Sequence, residues 1–500
     1  ILNSVPAMLK STTEMINKIK SDNSRIFTIL GPAGSGKSTA LKQIALYLSE
    51  TQQLNVFFLN QLDDIKSVIL ELDERNADKY YLCIERIAEV AIEVSDILMS
   101  HTSEKVIFIT AENSRIWSYR AREHFHNVNN IIQDFSSISE DDVHPILTKI
   151  ENYGNWARLS KMSLRNRRLE IIRKSKKQLL IGLLEATSGE GYDEIIKREF
   201  SSITNDSERA LLLLCSLATM QRSEASEATL TRAMSILNLN PNVYELSSRM
   251  IGVVNYDNGF ISTRHRVYVE RVISLFVSAE EMKNIIKAYI QAFSVYKFPI
   301  VVNINKKEAA IYKGLVNFKF LKKILRDDDK IILEIYEHFE KALELEGLFL
   351  LQYGLALRSY GRNKESLEKL SLARVAFPES PHIEHAYALQ LLIIAEIEAT
   401  EPLSLEYLEE AKEQLRTLDK GNKFEGDRYP IVTLSAGHIK VMNALGRVSE
   451  AKILAKTYHD EIKIRFRDHQ HDQTSKINRT IKFLMTYSLT GKITDISFDD

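Results

Sequence analysis

Up to Phe135 the chain alternates short β-favouring apolar runs with stretches in which apolar residues recur every three or four positions, and from Ser139 onward the short runs almost vanish. The first pattern is that of a parallel sheet covered by helices, because strands buried on both faces read as continuous apolar runs. The predicted strands are residues 26–30, 56–59, 80–84, 106–110 and 130–135. Leu41, Ile44, Ala45 and Leu48 follow the first of them at helical spacing. Past Ser139, Leu179, Leu180, Leu183 and Leu184 make a compact helical face that Thr187-Ser188-Gly189 terminates.

Residues 206–270 read as a separate unit. Three helical runs, 206–220, 225–239 and 243–250, precede two β-favouring runs joined by Asn258-Gly259, a pair that accepts positive φ and so predicts a hairpin. Helices followed by a hairpin suggest a winged helix. From about residue 280 the chain is helical to its end. Tyr353, Gly354, Leu357, Ser366, Leu370, Ala373 and Pro378 fall at the signature positions of a tetratricopeptide repeat. A looser copy runs through Ala436, Met442, Gly446, Ala451 and Ala455, and Tyr387, Ala388 and Leu391 open another. An ordinary helical bundle stands as the alternative. Stacked pairs between residues 347 and 463 would form a concave surface suited to gripping a polypeptide.

The 500 residues are too many for one core and suggest about three domains. Lys plus Arg, 66, nearly cancel Asp plus Glu, 67, so no global field draws the chain to nucleic acid or to an anionic membrane. Cys83 and Cys215 both lie in apolar runs and read as small core residues of a reduced protein. The longest apolar stretch, 210–220, is far short of a membrane span, and a cytoplasmic location is expected. The chain begins Ile1-Leu2-Asn3, which suggests a piece of a longer protein whose upstream part holds an output activity.

Residues Gly31-Pro32-Ala33-Gly34-Ser35-Gly36-Lys37-Ser38-Thr39 carry the most chemistry. They form a phosphate-binding loop of the pattern G-x-x-x-x-G-K-(S/T), placed between a predicted strand and a predicted helix. Its glycines let backbone N–H groups turn inward around phosphates, Lys37 supplies charge for the β- and γ-phosphates, and Ser38 can ligand Mg²⁺. A second acid must help hold the metal, and Glu85, at the end of an apolar strand, is the candidate. The next residue is Arg86 where an acid would polarise water, so hydrolysis should be slow, with Glu89 or Glu85 itself the nearby bases. Thr110 and Arg115, at the end of the following strand, could sense and stabilise the γ-phosphate. His265, at the start of a helix after the hairpin, could donate to a nucleotide phosphate. Eight basic residues lie between Lys161 and Lys177, Lys161, Arg165, Arg167, Arg168, Arg173, Lys174, Lys176 and Lys177, against the one acid Glu170. Without interleaved aromatics, a solvated helix face or an oligomer contact outweighs a nucleic-acid groove. Ser/His/Asp and metal-ligand patterns are absent from the sequence.

The resulting fold class is an α/β P-loop NTPase domain followed by a helical domain, a winged-helix domain and an all-α tetratricopeptide-like array, with boundaries at 1–137, 138–204, 205–275 and 276–500. This order resembles the STAND class of signal-transducing NTPases, and the bacterial members of antiphage defence look closest. The resemblance rests on residues 31–39, the Glu85 strand, residues 110–115, Lys177-Gln178-Leu179-Leu180 with Glu185-Ala186-Thr187-Ser188-Gly189, and Arg264-His265-Arg266-Val267-Tyr268. It implies that Lys37, Ser38 and Thr39 bind ATP or ADP with Mg²⁺, Glu85 the metal, Arg115 the γ-phosphate and His265 the nucleotide of a closed state. The paired acids usual at the second motif are reduced to Glu85-Arg86, and a Gly-x-Pro junction is absent. The implied mechanism is a switch: a protein trigger, phage-derived in the defence reading, opens the closed form through the repeats, and homo-oligomers then activate the upstream effector. Two rivals remain, an ATP-dependent DNA-binding transcriptional regulator and an AAA+-like remodelling ATPase.

Overall fold

A computed structural model of the protein describes residues 6–32, 34–59, 64–75, 77–100, 104–153, 159, 162–175, 192–250, 253–263, 265–398, 400–420, 429–466 and 476–493. The chain divides into two compact units, Ile1–Ser202 and Ile203–Asp500.

In the first unit all five apolar runs are strands of one parallel sheet: β1 (Ile26–Gly31), β2 (Asn55–Phe58), β3 (Tyr80–Glu85), β4 (Val106–Asn113) and β5 (Asn130–Asp134), in the order β2-β3-β4-β1-β5. Each of the first four strands is followed by a crossover, because parallel neighbours cannot be joined by a tight turn. Strand residues alternate between two cores. Phe27, Ile29, Tyr81, Cys83, Ile107, Ile109 and Ala111 pack with helices α1 (Lys10–Ser21) and α2 (Lys37–Leu46) through Met15, Ile16, Leu41 and Ile44. Ile26, Tyr80, Leu82, Ile84, Val106 and Phe108 pack on the other face with α3 (Ile65–Asp73) and α4 (Ala91–Met99). Each fully buried side chain of this size contributes about 1.5–3 kcal/mol, so the sheet is the rigid base of whatever stands at its edge. β4 is three residues longer than its apolar run predicts, because the polar Glu112 and Asn113 continue the ladder beside Leu30 and Gly31.

Beyond β5, helices Glu140–Tyr153 and Leu164–Ser175 enclose a small separate core of Leu9, Val143, Ile146, Leu147, Leu159 and Ile171. Buried Asp142 ties this group to the start of α1, accepting from the Lys10 N–H at 2.5 Å and from the Ser139 N–H at 2.6 Å and hydroxyl at 2.8 Å. The face expected from Leu179 to Leu184 and the stop signal after it lie outside the described residues, as does the Lys177–Gly189 part of the family resemblance.

The second unit begins with helices Asp206–Met220, Glu227–Ile236 and Val243–Arg249, each opened by a side-chain cap from Asn205, Ser226 or Asn242. Residues Ala210 to Ala218 of the first are all buried, so the longest apolar run is a core helix. Among the described residues no helix is long and apolar enough to cross a membrane. β7 (Val254–Asp257) and β8 (Phe260–Thr263) form the hairpin, with Asn258 and Gly259 at φ 49° and 80°. The two-residue strand β6 (Ala225–Ser226) pairs with the outer side of β8. Buried Glu308 accepts from the Ser226 and Thr229 hydroxyls and, at 3.0 Å, from Asn305 Nδ2, which fastens the helix Lys306–Val316 to this three-helix group.

The remainder is helical. Three consecutive helix pairs follow: Gly347–Ser359 with Asn363–Ala376, Pro381–Ile397 with Glu401–Lys420, and Pro430–Ala444 with Val448–Arg465, before a last helix, Lys476–Thr490; the first two start at the repeat spacing of 34 residues and the third starts 49 after the second. Small residues stand where the members of a pair cross. A Cβ on Gly354 would lie 2.7 Å from Leu370 Cγ, and the Ser366 hydroxyl donates to the Gly354 carbonyl at 2.8 Å. The first helix of each pair is apolar on nearly every side and buried, residues 430–439 without a break. The second buries a single stripe, such as Ala451, Ala455, Tyr458 and Ile462. The concave surface expected from residues 347–463 is therefore not open among the described residues. The helices that would line it are core, and solvent meets the outer helices, where Leu372, Val375 and Ile453 are 44%, 79% and 70% exposed.

Candidate nucleotide site

Strand β1 ends at Gly31, and the chain turns through Pro32 to Gly36 into α2. Gly34 and Gly36 have φ of 77° and 90°, a region that L side chains rarely adopt, and Gly36 caps the helix from there. The first turn of α2 carries no acid, so its free N–H groups and the positive end of its dipole face the loop unopposed. Lys37 Nζ reaches back across the loop and donates to the Pro32 carbonyl at 2.6 Å, while Ser38 is exposed at the mouth and Thr39 half-buried. Ala33 lies outside the described residues.

Two observations bear on whether this loop fits a triphosphate. A Cβ on Gly31 would fall 2.7 Å from Ser35 Oγ and 3.1 Å from the Phe135 carbonyl, so only glycine lets the loop close here. Ser35 is 5% exposed, and its hydroxyl is buried without a hydrogen-bond partner. A buried orphan hydroxyl is costly, and a phosphate or ribose oxygen would satisfy it. Beside it a hollow is lined by Leu9, Ser11, Ser35, Phe135, Ser136, Ser137 and Ile138, from the start of α1 and the segment leaving β5. Sequence reasoning missed Ser11, Ser136 and Ser137, because serines in connecting segments carry no pattern.

Glu85 ends β3 and is half-buried. It shares its face with Tyr81 and Cys83, the face that α2 covers, so it stands on the loop's side of the sheet at the carboxyl edge. Burial pushes the Cys83 thiol up to about 12, which favours the protonated form. Asn113 is on the same face, two residues past Ala111, and is the register partner of Gly31. Glu85 pairs with Ala111. The loop, one carboxylate and one carboxamide thus converge at one edge, and among the described residues no group of three His, Cys, Asp or Glu competes as a metal site.

Thr110 is placed otherwise than its expected role needs. It lies three residues before the end of β4, on the opposite face, fully buried, with its hydroxyl 2.9 Å from that of Thr28. Thr28 in turn donates to Asn130 Oδ1 at 2.9 Å, and this polar ladder across β4, β1 and β5 holds the sheet centre. The residue that stands at the carboxyl end of β4 on the loop's face is Asn113, because the ladder runs three residues past Thr110. Arg115 lies in the helical turn Ser114–Ile116, and its side chain is outside the described residues.

Arg86 follows Glu85 in the left-handed region at φ 63°, pairs with Glu89 at 3.4 Å, and starts the short helical turn Ile87–Glu89. His265, in the second unit, caps the helix Arg266–Phe276, its Nδ1 accepting from the Val267 N–H at 3.1 Å, and Arg264 lies outside the described residues. In the basic stretch, Arg167 Nε donates to the Leu159 and Met162 carbonyls at 2.8 and 3.1 Å, and Glu170 is buried. Arg165 and Arg168 are exposed beside Leu164 and Leu169, whereas Lys161, Lys176 and Lys177 lie outside the described residues.

Residues 1–125 match the family model described as novel STAND NTPase 5. No curated protein matches the chain. Among solved structures, the crystal structure of a STAND protein with a tetratricopeptide repeat sensor from Pyrococcus horikoshii aligns over 97% of this chain and 78% of that one, at 12% identity and a TM-score of 0.36. That likeness is too distant to carry an argument. The family match spans the loop, Glu85 and the whole of β4, so the elements that build the candidate site are those in which the chain is similar to STAND NTPases.

Proposed function

We propose that the chain is a STAND-type nucleotide switch that binds ATP or ADP with Mg²⁺ and works in bacterial antiviral defence. The observation that carries the nucleotide part is the convergence of the Gly31–Ser38 loop, Glu85 and Asn113 on one face at the carboxyl edge of a parallel sheet. Lys37 and the N–H groups at the start of α2 hold the β- and γ-phosphates, Ser38 and Glu85 hold the metal, and the metal supplies charge neutralisation to the phosphates when bound. Asn113 stands nearest the γ-phosphate, and Arg115, from the turn just beyond it, is assigned to the same phosphate by the family resemblance. Arg86 follows Glu85 where a water-activating acid would serve, so hydrolysis is slow and the bound nucleotide persists.

The three-helix group with its hairpin is read as a winged helix, and the paired helices as tetratricopeptide-like repeats that receive a protein trigger. Nucleotide, with His265 as one contact, favours a closed state; the trigger shifts the population to an open one that self-associates and activates an effector. Among the described residues of the three-helix group, the third helix pairs Arg249 with Glu245 and the hairpin presents Asp257 and a Tyr256 bound to Glu227, acids that disfavour a phosphate backbone there and weigh against the DNA-binding alternative.

The test is titration of the whole chain with fluorescent ATP in the presence of Mg²⁺. Lys37→Ala should lower affinity by at least about a hundredfold, since the charge-assisted contacts to two phosphates are lost. Equal affinity of variant and parent overturns the site. Loss of protection in phage-challenged cells with Lys37→Ala, in the intact protein, tests the defence role.

A further inference from the structure

We propose that Glu112 is the positioning residue of this site: its buried carboxylate pins the turn that follows Glu85 to the end of β4, and so fixes Glu85 against Asn113. The inference rests on the reading of Glu85 as the acid on the metal side.

Glu112 is 1% exposed and lies on the sheet face opposite α2, with Phe108 and Thr110. It therefore cannot touch a phosphate on the loop's face, and its effect must pass through its neighbours. One oxygen, Oε1, accepts from the Asn113 N–H at 2.6 Å, and the other, Oε2, accepts from the Ala88 N–H at 3.2 Å. Asn113 begins the candidate γ-phosphate contact, and Ala88 sits in the turn Ile87–Glu89 just past Glu85. A second bond runs in parallel, from the Arg86 N–H to the Ala111 carbonyl at 2.9 Å. Together they hold Arg86 at φ 63°, a conformation that costs a non-glycine residue free energy and persists only where its surroundings over-determine it.

The residue type matters. Two N–H donors arrive from two different elements, and a carboxylate presents an acceptor on each arm. A glutamine would turn an N–H₂ towards one of them, so the same shape would hold one element and repel the other. The Glu112 side chain thus adds to the Arg86–Ala111 backbone bond a link from Asn113 itself to the turn after β3, and a shift of Asn113 towards a γ-phosphate is conveyed to Glu85.

The experiment measures ATP affinity of the whole chain with Mg²⁺ and with chelator, in the parent, Glu112→Gln, Glu85→Gln and the double variant. Glu112→Gln should reduce the Mg²⁺-dependent gain, the ratio of affinity with Mg²⁺ to affinity in chelator, about tenfold, the lower end of what a supporting partner of a metal site is worth. It should add nothing in the Glu85→Gln background, because both changes act on one contact. A parental gain in Glu112→Gln, or an equal loss in both backgrounds, overturns the positioning role. If Glu85→Gln itself keeps the full gain, the reading of Glu85 fails and the inference falls with it. Should Glu112→Gln not fold, Glu112→Asp keeps the charge on an arm too short to reach both donors, and the same loss and the same non-additivity are required of it.

Discussion

At the scale of single residues, the site depends on which face of a strand a side chain takes. Asn113 and Thr110 sit three positions apart on β4, yet period-two alternation puts one beside Gly31 on the loop's face and the other in the opposite core. Asn113→Ala should therefore cost discrimination between ATP and ADP, by about tenfold for one lost hydrogen bond to a charged oxygen, with ADP affinity unchanged. Competition titration of the two nucleotides reads this. Thr110→Val should leave the ratio as in the parent while lowering the melting temperature, and the opposite result would return the sensing role to Thr110.

At the scale of elements, much was legible because the signals are local. The loop, the five apolar runs, the Asn258-Gly259 turn and the small residues of the repeats each follow from backbone geometry or spacing, and each stands where its pattern placed it. What was not legible depends on neighbours distant in sequence. The extension of β4 to Asn113 requires the β1 ladder, the hollow beside Ser35 requires α1 and the segment after β5, and the burial of the first repeat helices requires helices on every side. Gly354→Ala tests that crowding. The added methyl meets Leu370 and the Ser366 carbonyl, so the array should lose about 1–3 kcal/mol in denaturant unfolding, with nucleotide affinity unchanged. His438 offers a second probe. It is buried on Pro430–Ala444 with Nδ1 3.0 Å from the Tyr458 hydroxyl, and desolvation, helped by Lys412, holds it down at about 4. The unfolded chain binds a proton near roughly pH 6.5, so the stabilisation from a neutral His438 is present above that pH and is lost as pH falls towards 4. The change is on the order of 3 kcal/mol, and His438→Gln should flatten the acid limb of the unfolding curve between these values.

At the scale of the whole molecule, the candidate site up to Asn113 belongs to Ile1–Ser202, while His265 belongs to Ile203–Asp500. This division makes the proposed role of His265 measurable. If His265 is a nucleotide contact, His265→Ala in the whole chain should weaken ADP binding several-fold, the worth of about 1 kcal/mol, and should leave residues 1–202 as the limit towards which the affinity falls. Unchanged affinity with a lowered melting temperature would leave His265 as the cap of its helix alone. The array has a consequence of another kind. Its core is sealed inside the first helix of each pair, whereas Leu372, Val375 and Ile453 lie on outer helices where few packing constraints act. Substitutions there are nearly free of folding cost, so a lineage can rewrite that exterior many times over while the scaffold beneath it is inherited unchanged. In the proposed defence role, where the trigger would belong to an adversary under its own selection, such an exterior is the part of the molecule able to keep pace.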